Sequence, residues 1–289
     1  MKNSILEKLE KSIEFSNNNK SSHWRKYLNS NSNYLNPNRS LGFGTYSKKS
    51  LFKTIFHYVF CLLIFDNSIL KSETYKKYKI FLKKSKRQIN QDTMRHIFTF
   101  DLLKKINSPS NVCVIGDGKC NFIIGSLIIY PDAKIFSVNL SETLINDYMV
   151  LKQMKLLDDD DIQVIENEHD SILENKKLIL VPSHLKEFLS NKSIDLFVNI
   201  ASFQEMPVKE VDNYFRIIKS TNSLFYCCNR EYKKLIGGEE LYFNKYPWGN
   251  NTKELNEDCP WHQKLYQTKF PFIRKYDGNM KHCLIDYSK

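Results

Sequence analysis

The feature that most constrains the fold is an alternation of apolar segments with amphipathic ones after residue 110. The strand candidates are residues 111–115, 134–140, 178–182, 194–200 and 223–228. The helix candidates between them are residues 119–129, 141–157 and 207–219. Strands that are apolar at nearly every position are typical of a parallel sheet covered by helices on both faces. The pattern therefore predicts a doubly wound, Rossmann-like α/β domain over residues 111–289.

Residues 1–110 differ in both pattern and charge. Helices are expected at the segment "SILEKLEKSIEF" and at residues 91–106, with a linker rich in helix breakers at residues 29–44. This region holds 21 Lys and Arg against 7 Asp and Glu, whereas residues 111–289 hold 22 against 25. We predict a basic helical N-terminal extension. Its densest part, residues 71–91, either attracts nucleic acid, anionic lipid or anionic glycan, or is a solvated helix face.

The apolar segment at residues 51–65, "LFKTIFHYVFCLLIF", contains Lys53 and His57. Its uninterrupted part is shorter than the roughly 20 residues of a membrane-spanning helix. A buried helix is the first interpretation, and peripheral contact with a membrane is the alternative. The N-terminus lacks the apolar region of a signal peptide, so a cytoplasmic location is expected, with the inner membrane surface as an alternative.

The seven cysteines are an odd number and include no CxxC pair. This usage argues against a disulfide framework and against a zinc site. Cys227 and Cys228 are adjacent in a strand candidate, and neighbouring strand residues point to opposite faces. They are therefore predicted to be two small buried side chains, one on each face of the sheet.

The loop "VIGDGKC" at residues 114–120 follows the first predicted strand. Gly116 and Gly118 would let the backbone approach a ligand at the carboxyl edge of the sheet, beside the positive end of the next helix. A dinucleotide fingerprint would have a third glycine at Asn121 and an acidic residue at Asn139. S-adenosylmethionine has no pyrophosphate, and the amide of Asn139 could serve its ribose hydroxyls. This loop alone leaves the cofactor open.

Five further segments carry a resemblance to a known family. They are "VNLSETL" (138–144), "DLFVN" (195–199), "SFQEM" (202–206), "FYCCNR" (225–230) and "YPW" (246–248). With these segments the chain resembles the class I S-adenosylmethionine-dependent methyltransferases, and within them the bacterial sugar O-methyltransferases, over residues 95–289. The resemblance implies a seven-stranded, mostly parallel sheet whose last strand, at residues 282–288, is antiparallel.

The resemblance also implies S-adenosylmethionine as the cofactor. The expected cofactor-binding residues are Gly116, Asp117, Gly118, Asn139, Leu140, Ser183, His184 and Asn199. The chain departs from the family at two of its positions. Val114 and Asn139 stand where the family has acidic residues.

Methyl transfer to a sugar hydroxyl requires alignment of the reacting atoms and removal of a proton. Glu205 is the first candidate for the base, with Gln204 as a ligand of a sugar hydroxyl and His96 as an alternative base. The alternative, purely structural roles are a helix cap for Glu205, ordering of the loop for Gln204 and a packing role for His96. Arg230, Tyr246 and Trp248 are the candidate acceptor-binding residues, with salt bridging and core packing as their alternatives.

The predicted function is O-methylation of a sugar of a surface glycan or its precursor, without an indicated divalent metal. The acidic run "DDDD" at residues 158–161 is expected to be a solvated loop, with a metal site as its alternative. Two other functions stay open at this point. A catalytically silent binding protein with the same fold is suggested by Val114 and Asn139, and a nucleic-acid methyltransferase by the basic N-terminal region, although "NIAS" after the fourth strand is atypical of amino-methylating enzymes.

Overall fold

A computed structural model describes residues 4–30, 45–46, 51–106, 108–118, 120–251, 253–267 and 269–289. Most of the linker predicted at residues 29–44 lies outside these residues, as does Lys119 of the glycine loop. The α-helices of the described residues are α1 (Ser4–Ser12), α2 (Ser22–Ser30), α3 (Leu51–Ile64), α4 (Glu73–Lys84), α5 (Gln91–Leu103), α6 (Asn121–Ile129), α7 (Ser141–Met154) and α8 (Val208–Ser220).

The strands of the described residues form one large sheet and three small two-stranded sheets. Those outside the large sheet are β1 (Thr45–Tyr46), β2 (Arg87–Gln88), β9 (Tyr232–Lys234), β10 (Glu240–Tyr242), β12 (Lys264–Tyr266) and β13 (Ile273–Lys275). Those of the large sheet are β3 (Asn111–Ile115), β4 (Lys134–Asn139), β5 (Ile162–Val164), β6 (Leu178–Pro182), β7 (Leu196–Ile200), β8 (Leu224–Arg230), β11 (Lys253–Asp258) and β14 (Met280–Asp286).

The large sheet has the strand order β11-β14-β8-β7-β3-β4-β6-β5. Every neighbouring pair from β8 to β5 is parallel, and β14 is antiparallel to both β8 and β11. The mostly parallel, Rossmann-like sheet is thus confirmed, and so is the antiparallel last strand. The expected number of seven strands is wrong, because the sheet has eight, and neither β5 nor β11 was among the strand candidates.

Successive residues of the central strands pack into two cores on opposite faces of the sheet. Val112 and Val114 of β3 face a core formed with α1, α4, α5, α6 and α7. Cys113 and Ile115 face a second core formed with α8 and the aromatic residues near position 246. Cys228 belongs to the first core and Cys227 to the second, as their adjacency predicted. Burial on both faces explains why these strands are apolar at nearly every position.

Helices on both sides of residue 110 contribute to the first core. Helix α1 packs against α7, and α4 and α5 pack against α6. Tyr78 and Phe100 are fully buried there, together with Phe122. The basic N-terminal region therefore shares its packing with the sheet.

Helix α3 confirms the predicted helix at residues 51–65, but the prediction that it is buried is wrong. Its apolar side chains include several that are largely exposed: Phe52, Ile55, Tyr58, Val59 and Leu63. The opposite side of the helix carries the buried Cys61, so that only part of its surface meets the core. No helix of the described residues is both long and apolar enough to cross a membrane.

Gly125 of α6 offers a test of this packing. A methyl group added there would lie 2.0 Å from the Tyr78 hydroxyl and 2.3 Å from the Phe100 ring. We expect Gly125→Ala to lower the free energy of unfolding by about 2 kcal/mol, because overpacking outweighs the helix propensity gained. Urea denaturation measures the change. Gly118→Ala is the control, because its added methyl would meet only Trp24 at 4.0 Å; equal stability of both variants would contradict the packing described.

Candidate functional site

A cavity of about 340 Å³ opens at the carboxyl ends of β3 and β7. The chain runs from β3 toward one edge of the sheet and from β7 toward the other, so this is the point where the strand order reverses. Ligands of open α/β sheets bind at such points. The walls come from four parts of the chain: the β3 loop (Gly116, Asp117, Gly118), the β7 loop (Ala201, Ser202, Glu205), helices α2 and α5 (His23, Trp24, Asp92, Arg95, His96), and the C-terminal region (His262, Tyr276).

The two glycines of the β3 loop have different neighbours. Gly116 has a φ of +76°, and a Cβ atom there would lie 1.8 Å from the Ser202 Oγ atom. Both the left-handed backbone and the close approach of Ser202 therefore require glycine. Gly118 faces Trp24, whose nearest ring atom would be 4.0 Å from an added Cβ. The backbone at Gly116 is thus in close contact with the loop after β7, while Gly118 faces the Trp24 indole.

The carboxylate of Asp117 caps helix α6. It accepts hydrogen bonds from the backbone N–H groups of Asn121 at 3.0 Å, Phe122 at 2.6 Å and Ile123 at 2.8 Å. These are the donors that the sequence analysis expected to be available to a ligand, and that expectation is wrong because an internal carboxylate already uses them. A ligand contact of Asp117 itself remains a prediction.

Asn139, Leu140 and Ser183 line a small adjoining cavity of about 30 Å³, which shares Trp24, Ser202 and Glu205 with the larger one. The Asn139 Oδ1 atom accepts a hydrogen bond from the Leu140 N–H at 3.0 Å. Its buried Nδ2 atom lies beside the Asp147 carboxyl and favours the charged form of that group. Burial raises the pKa of the neighbouring Asp147 carboxyl well above its usual range. The expected ribose-binding position therefore lies beside the larger cavity, with its amide nitrogen next to a buried carboxyl.

Asn199 and Gln204 are buried and bind the protein itself. The Asn199 amide donates to the Ile115 carbonyl at 3.0 Å and accepts from the Phe203 N–H at 3.1 Å. The Gln204 Oε1 atom accepts from the Arg230 N–H at 2.8 Å. Buried polar groups need such internal partners. The expectation of ligand contacts for these two residues is therefore corrected: they order the loop after β7.

The proposed aromatic platform for an acceptor is also corrected. Tyr246 is 7% exposed and Trp248 is 5% exposed. Both rings pack against Phe243 and Phe215 in the second core, and the Trp248 indole donates to the Phe243 carbonyl at 2.9 Å. The large apolar area of the two side chains explains why they are buried. The pattern that suggested sugar stacking marks part of the hydrophobic core.

His184 and His96 lie in different surroundings. The His184 ring is 5.6 Å from the Phe15 ring and does not line either cavity. Burial, and then the nearby Lys186, lower its pKa. His96 of α5 does line the larger cavity, with its ring 5.8 Å from that of Phe122. Of these two histidines, His96 is the one that lies at the cavity, as an alternative base requires.

Glu205 lines both cavities and has charged neighbours. Burial raises the pKa of its carboxyl, while the positive charges of His23, Lys233 and Arg230 act in the opposite direction. The nearest of these, the His23 Nε2 atom, is 3.7 Å from the Glu205 Oε2 atom. The Arg230 guanidinium lies 5.3 Å from the centre of the Tyr276 ring. The alternative role of Glu205 as a cap of α8 does not hold, because Pro207 occupies the N-cap position.

Several cavity residues were missed by the sequence analysis. His23 and Trp24 come from α2, Arg95 from α5, and His262 and Tyr276 from the C-terminal region. The Arg95 guanidinium donates to the Trp261 and Lys264 carbonyls and holds the C-terminal segment on α5. None of these residues belongs to a local motif. Only the cavity, which brings distant segments together, identifies them.

The acidic run at residues 158–161 forms a 3₁₀ turn. The Asp161 side chain accepts from the Asp158 N–H at 2.9 Å, and Asp159 accepts from the Tyr148 hydroxyl at 2.8 Å. Asp159 also forms an ion pair with Lys152. Local hydrogen bonds thus account for the run.

A buried ion pair joins the segment before α2 to helix α7 at the carboxyl edge of the sheet. The Lys20 Nζ atom is 2.5 Å from the Glu142 Oε1 atom, and the side chains are 8% and 4% exposed. Ser12 adds a 2.8 Å hydrogen bond to Ser141 at the start of α7. Lys20 immediately precedes α2, so this ion pair fixes the position of His23 and Trp24 in the cavity wall.

The chain is similar to known proteins in its structure but not in its sequence. No protein-family model matches the chain, and no curated protein matches its sequence. Among solved structures, it is similar to an S-adenosylmethionine-dependent methyltransferase of Aquifex aeolicus, with 10% identity, 74% and 98% of the two chains covered, and a TM-score of 0.38. It is also similar to the O-methyltransferase TomG of Streptomyces achromogenes, with 8% identity, 81% and 96% covered, and a TM-score of 0.38. A third similar structure is the methyltransferase domain of the bacterial protein CtHen1, with 11% identity, 68% and 100% of the two chains covered, and a TM-score of 0.39.

The Lys20–Glu142 ion pair predicts a specific stability effect. Lys20→Met should lower the free energy of unfolding by about 3–5 kcal/mol, because it leaves the buried Glu142 charge without a partner. The double variant Lys20→Met/Glu142→Gln should recover much of this loss. Denaturation of the three proteins measures the effect. Lys11→Met, on the exposed side of α1, is the control, and an equally small change in all variants would contradict the role of the ion pair.

Proposed function

We propose that the chain is an S-adenosylmethionine-dependent O-methyltransferase whose active site is the 340 Å³ cavity. The observation that carries this proposal is that one cavity is bounded by both the Gly116–Gly118 loop and Glu205. A cofactor position and a candidate base are thereby within reach of one bound acceptor. The motif resemblance of residues 95–289 supports the same reaction class.

The residues around the cavity are compatible with this cofactor. Its volume lies in the range of about 300–1,000 Å³ that is usual for small-molecule sites. Gly118 leaves room beside the chain, and Asn139 lines the adjoining cavity, where its side-chain amide is the proposed partner of a ribose hydroxyl. Val114, 3% exposed, gives the floor an apolar surface in place of the acidic residue typical of the family. When bound, the cofactor supplies a methyl group activated by a positively charged sulfur.

Glu205 is the proposed base. The Gly116–Gly118 loop would hold the cofactor, which would supply the methyl group, and the Glu205 carboxylate would accept the proton of the acceptor hydroxyl. A carboxyl with a raised pKa is better matched to proton transfer near neutrality than an ordinary one. The nearby His23 stabilises the charged form of Glu205 and thereby limits the rise of its pKa.

A sugar is the proposed acceptor. The wall opposite the glycine loop contains the Tyr276 ring, whose centre lies about 5 Å from the guanidinium groups of both Arg95 and Arg230. Aromatic rings pack well against the apolar face of sugars, and their hydroxyls find partners among charged side chains. Because Arg95 is committed to backbone carbonyls, Arg230 is the guanidinium proposed to contact an acidic group of the acceptor. A glycan precursor linked to a nucleotide or lipid carries such a group.

Peripheral contact with an anionic membrane surface is proposed for the N-terminal region. The exposed apolar side chains of α3 adjoin a groove of about 570 Å³ between α3 and α4. Apolar residues such as Leu62 and Leu82 line the groove, and Lys79, Lys83 and Lys86 lie at its rim. Apolar side chains beside a cluster of lysines match the two parts of an anionic lipid. This position would bring the enzyme to a lipid-linked acceptor.

Calorimetry tests the cofactor assignment. We expect the purified protein to bind S-adenosylmethionine and its demethylated product but not NAD, because the loop has no third glycine and no acid for a nicotinamide dinucleotide. Gly118→Val should weaken binding of S-adenosylmethionine at least about tenfold, because the larger side chain would occupy space in the cavity. Binding of NAD alone would contradict the proposal, and binding of none of the three would favour a silent binding protein.

The pH dependence of methyl transfer tests Glu205. The rate should rise with pH through the raised pKa of Glu205, because only the deprotonated carboxylate accepts the proton. Glu205→Gln should lower the rate by a factor of about 10²–10⁴ and remove this limb, the rise of the rate with pH. His23→Gln should move the limb to higher pH, since it removes a positive charge that favours the carboxylate. The assay uses a panel of nucleotide-linked and lipid-linked sugars, with Glu231→Gln on the surface as the control; a parental rate for Glu205→Gln would remove Glu205 from the mechanism.

Vesicle sedimentation tests the membrane proposal. Replacing Lys79, Lys83 and Lys86 by Gln should reduce binding to vesicles of anionic lipid, and so should Phe52→Ser with Leu63→Ser. Arg87 is left in place because it is buried and donates to Gln153. The matched control replaces Lys155, Lys176 and Lys177, which removes the same charge elsewhere. Equal loss with the control set would show a nonspecific charge effect and contradict the proposed surface.

A further inference from the structure

A cluster of buried sulfur and imidazole groups lies at one side of the cavity. Cys228 of β8, Cys259 immediately after β11, and His262 are all buried. The potential ligand atoms of these three residues lie within 4.8 Å of one another. His262 also lines the cavity. Two thiols and an imidazole are the ligand types that zinc prefers in proteins.

The distances within the cluster match the edges of a zinc tetrahedron. Bond lengths of 2.3 Å to sulfur and 2.0–2.1 Å to nitrogen imply a sulfur–nitrogen separation of about 3.6 Å. The His262 Nδ1 atom lies 3.2 Å from the Cys259 Sγ atom and 3.7 Å from the Cys228 Sγ atom. A metal ion could therefore be accommodated with shifts of a few tenths of an ångström.

The backbone around the cluster is well supported. The Cys259 N–H donates to the Met280 carbonyl at 2.8 Å, and the His262 N–H donates to the Cys259 carbonyl at 3.1 Å. The Gln263 side chain donates to the Cys259 carbonyl at 3.0 Å and to the Met280 carbonyl at 2.6 Å. These bonds tie a Cys-x-x-His turn to β14. Such outer contacts orient metal ligands.

His282 supplies a fourth group on the same side of the sheet. It lies directly opposite Cys228 in the register of β14 and β8. It is 1% exposed, its ring interacts with the Cys259 thiol, and its Nε2 atom lies 3.5 Å from the Glu257 carboxylate. Its Nδ1 atom is 3.1 Å from the Tyr226 hydroxyl. A histidine ligand usually has such a partner on its other nitrogen.

We propose that Cys228, Cys259, His262 and His282 bind one zinc ion per chain. Coordination releases the two thiol protons, and two thiolates balance the charge of the buried Zn²⁺. The ion would connect β8, β14 and the turn after β11, and would thereby fix the C-terminal wall of the cavity. This proposal does not depend on the methyltransferase activity. The cysteine count argued against zinc because the ligands come from three separate segments and form no CxxC pair.

Metal analysis and cobalt substitution test the site in the full chain. Protein produced with added zinc and purified without chelators should contain about one zinc per chain. Replacement by Co²⁺ should give the intense visible bands of four-coordinate cobalt and a thiolate-to-cobalt charge-transfer band. Both spectra come from the parental protein, so they do not depend on whether a variant folds. No zinc after reconstitution, or cobalt without a thiolate band, would overturn the proposal.

Substitutions identify the ligands. Cys228→Ala and Cys259→Ala should abolish stoichiometric zinc and the charge-transfer band, whereas Cys283→Ala, a buried cysteine on the other face of β14, should retain both. Parental zinc content in Cys259→Ala, or a Cys228–Cys259 disulfide in the native protein, would overturn the site. His282→Gln should weaken zinc binding at least about tenfold, and unchanged affinity would overturn the assignment of His282 as a ligand.

Discussion

Burial of both faces of the parallel strands is the constraint on which the rest of the structure depends. Apolar side chains on each face of β3, β4, β6, β7 and β8 must be covered, and helices can cover them only through crossovers that return to the same edge. All loops after these strands consequently meet at one edge. The reversal of strand order between β3 and β7 separates two of the loops and leaves a cavity between them.

The N-terminal region completes that cavity. The Lys20–Glu142 ion pair stabilises the segment before α2 on α7, and His23 and Trp24 thereby face Gly118 and Glu205. The loops at the carboxyl edge of the sheet would not cover this side by themselves. The charge around Glu205, which the proposed proton transfer uses, is set by His23 from α2 and by Arg230 and Lys233 near the end of β8.

The sequence could predict the parallel sheet and the position of the glycine loop, because each depends on a local pattern of apolar or small residues, whereas the antiparallel last strand was implied only by the family resemblance. It also placed Glu205 and His96 at the cavity. It did not predict the burial of Tyr246, Trp248, Asn199 and Gln204, because an aromatic or amide side chain can pack in the interior as readily as it can bind a ligand. Burial, which decides between these roles, is not a local property.

The sequence by itself therefore determined the α/β class, the edge of the sheet where a ligand would bind and the basic charge of the N-terminal region. Only the tertiary structure decided which side chains reach the cavity, that Asp117 uses the donors of α6, and that Cys228, Cys259 and His262 come together with His282 on the neighbouring strand. The physical reason is that periodicity records how a segment meets the core. Contacts between distant segments arise only when the strands pair and the helices pack.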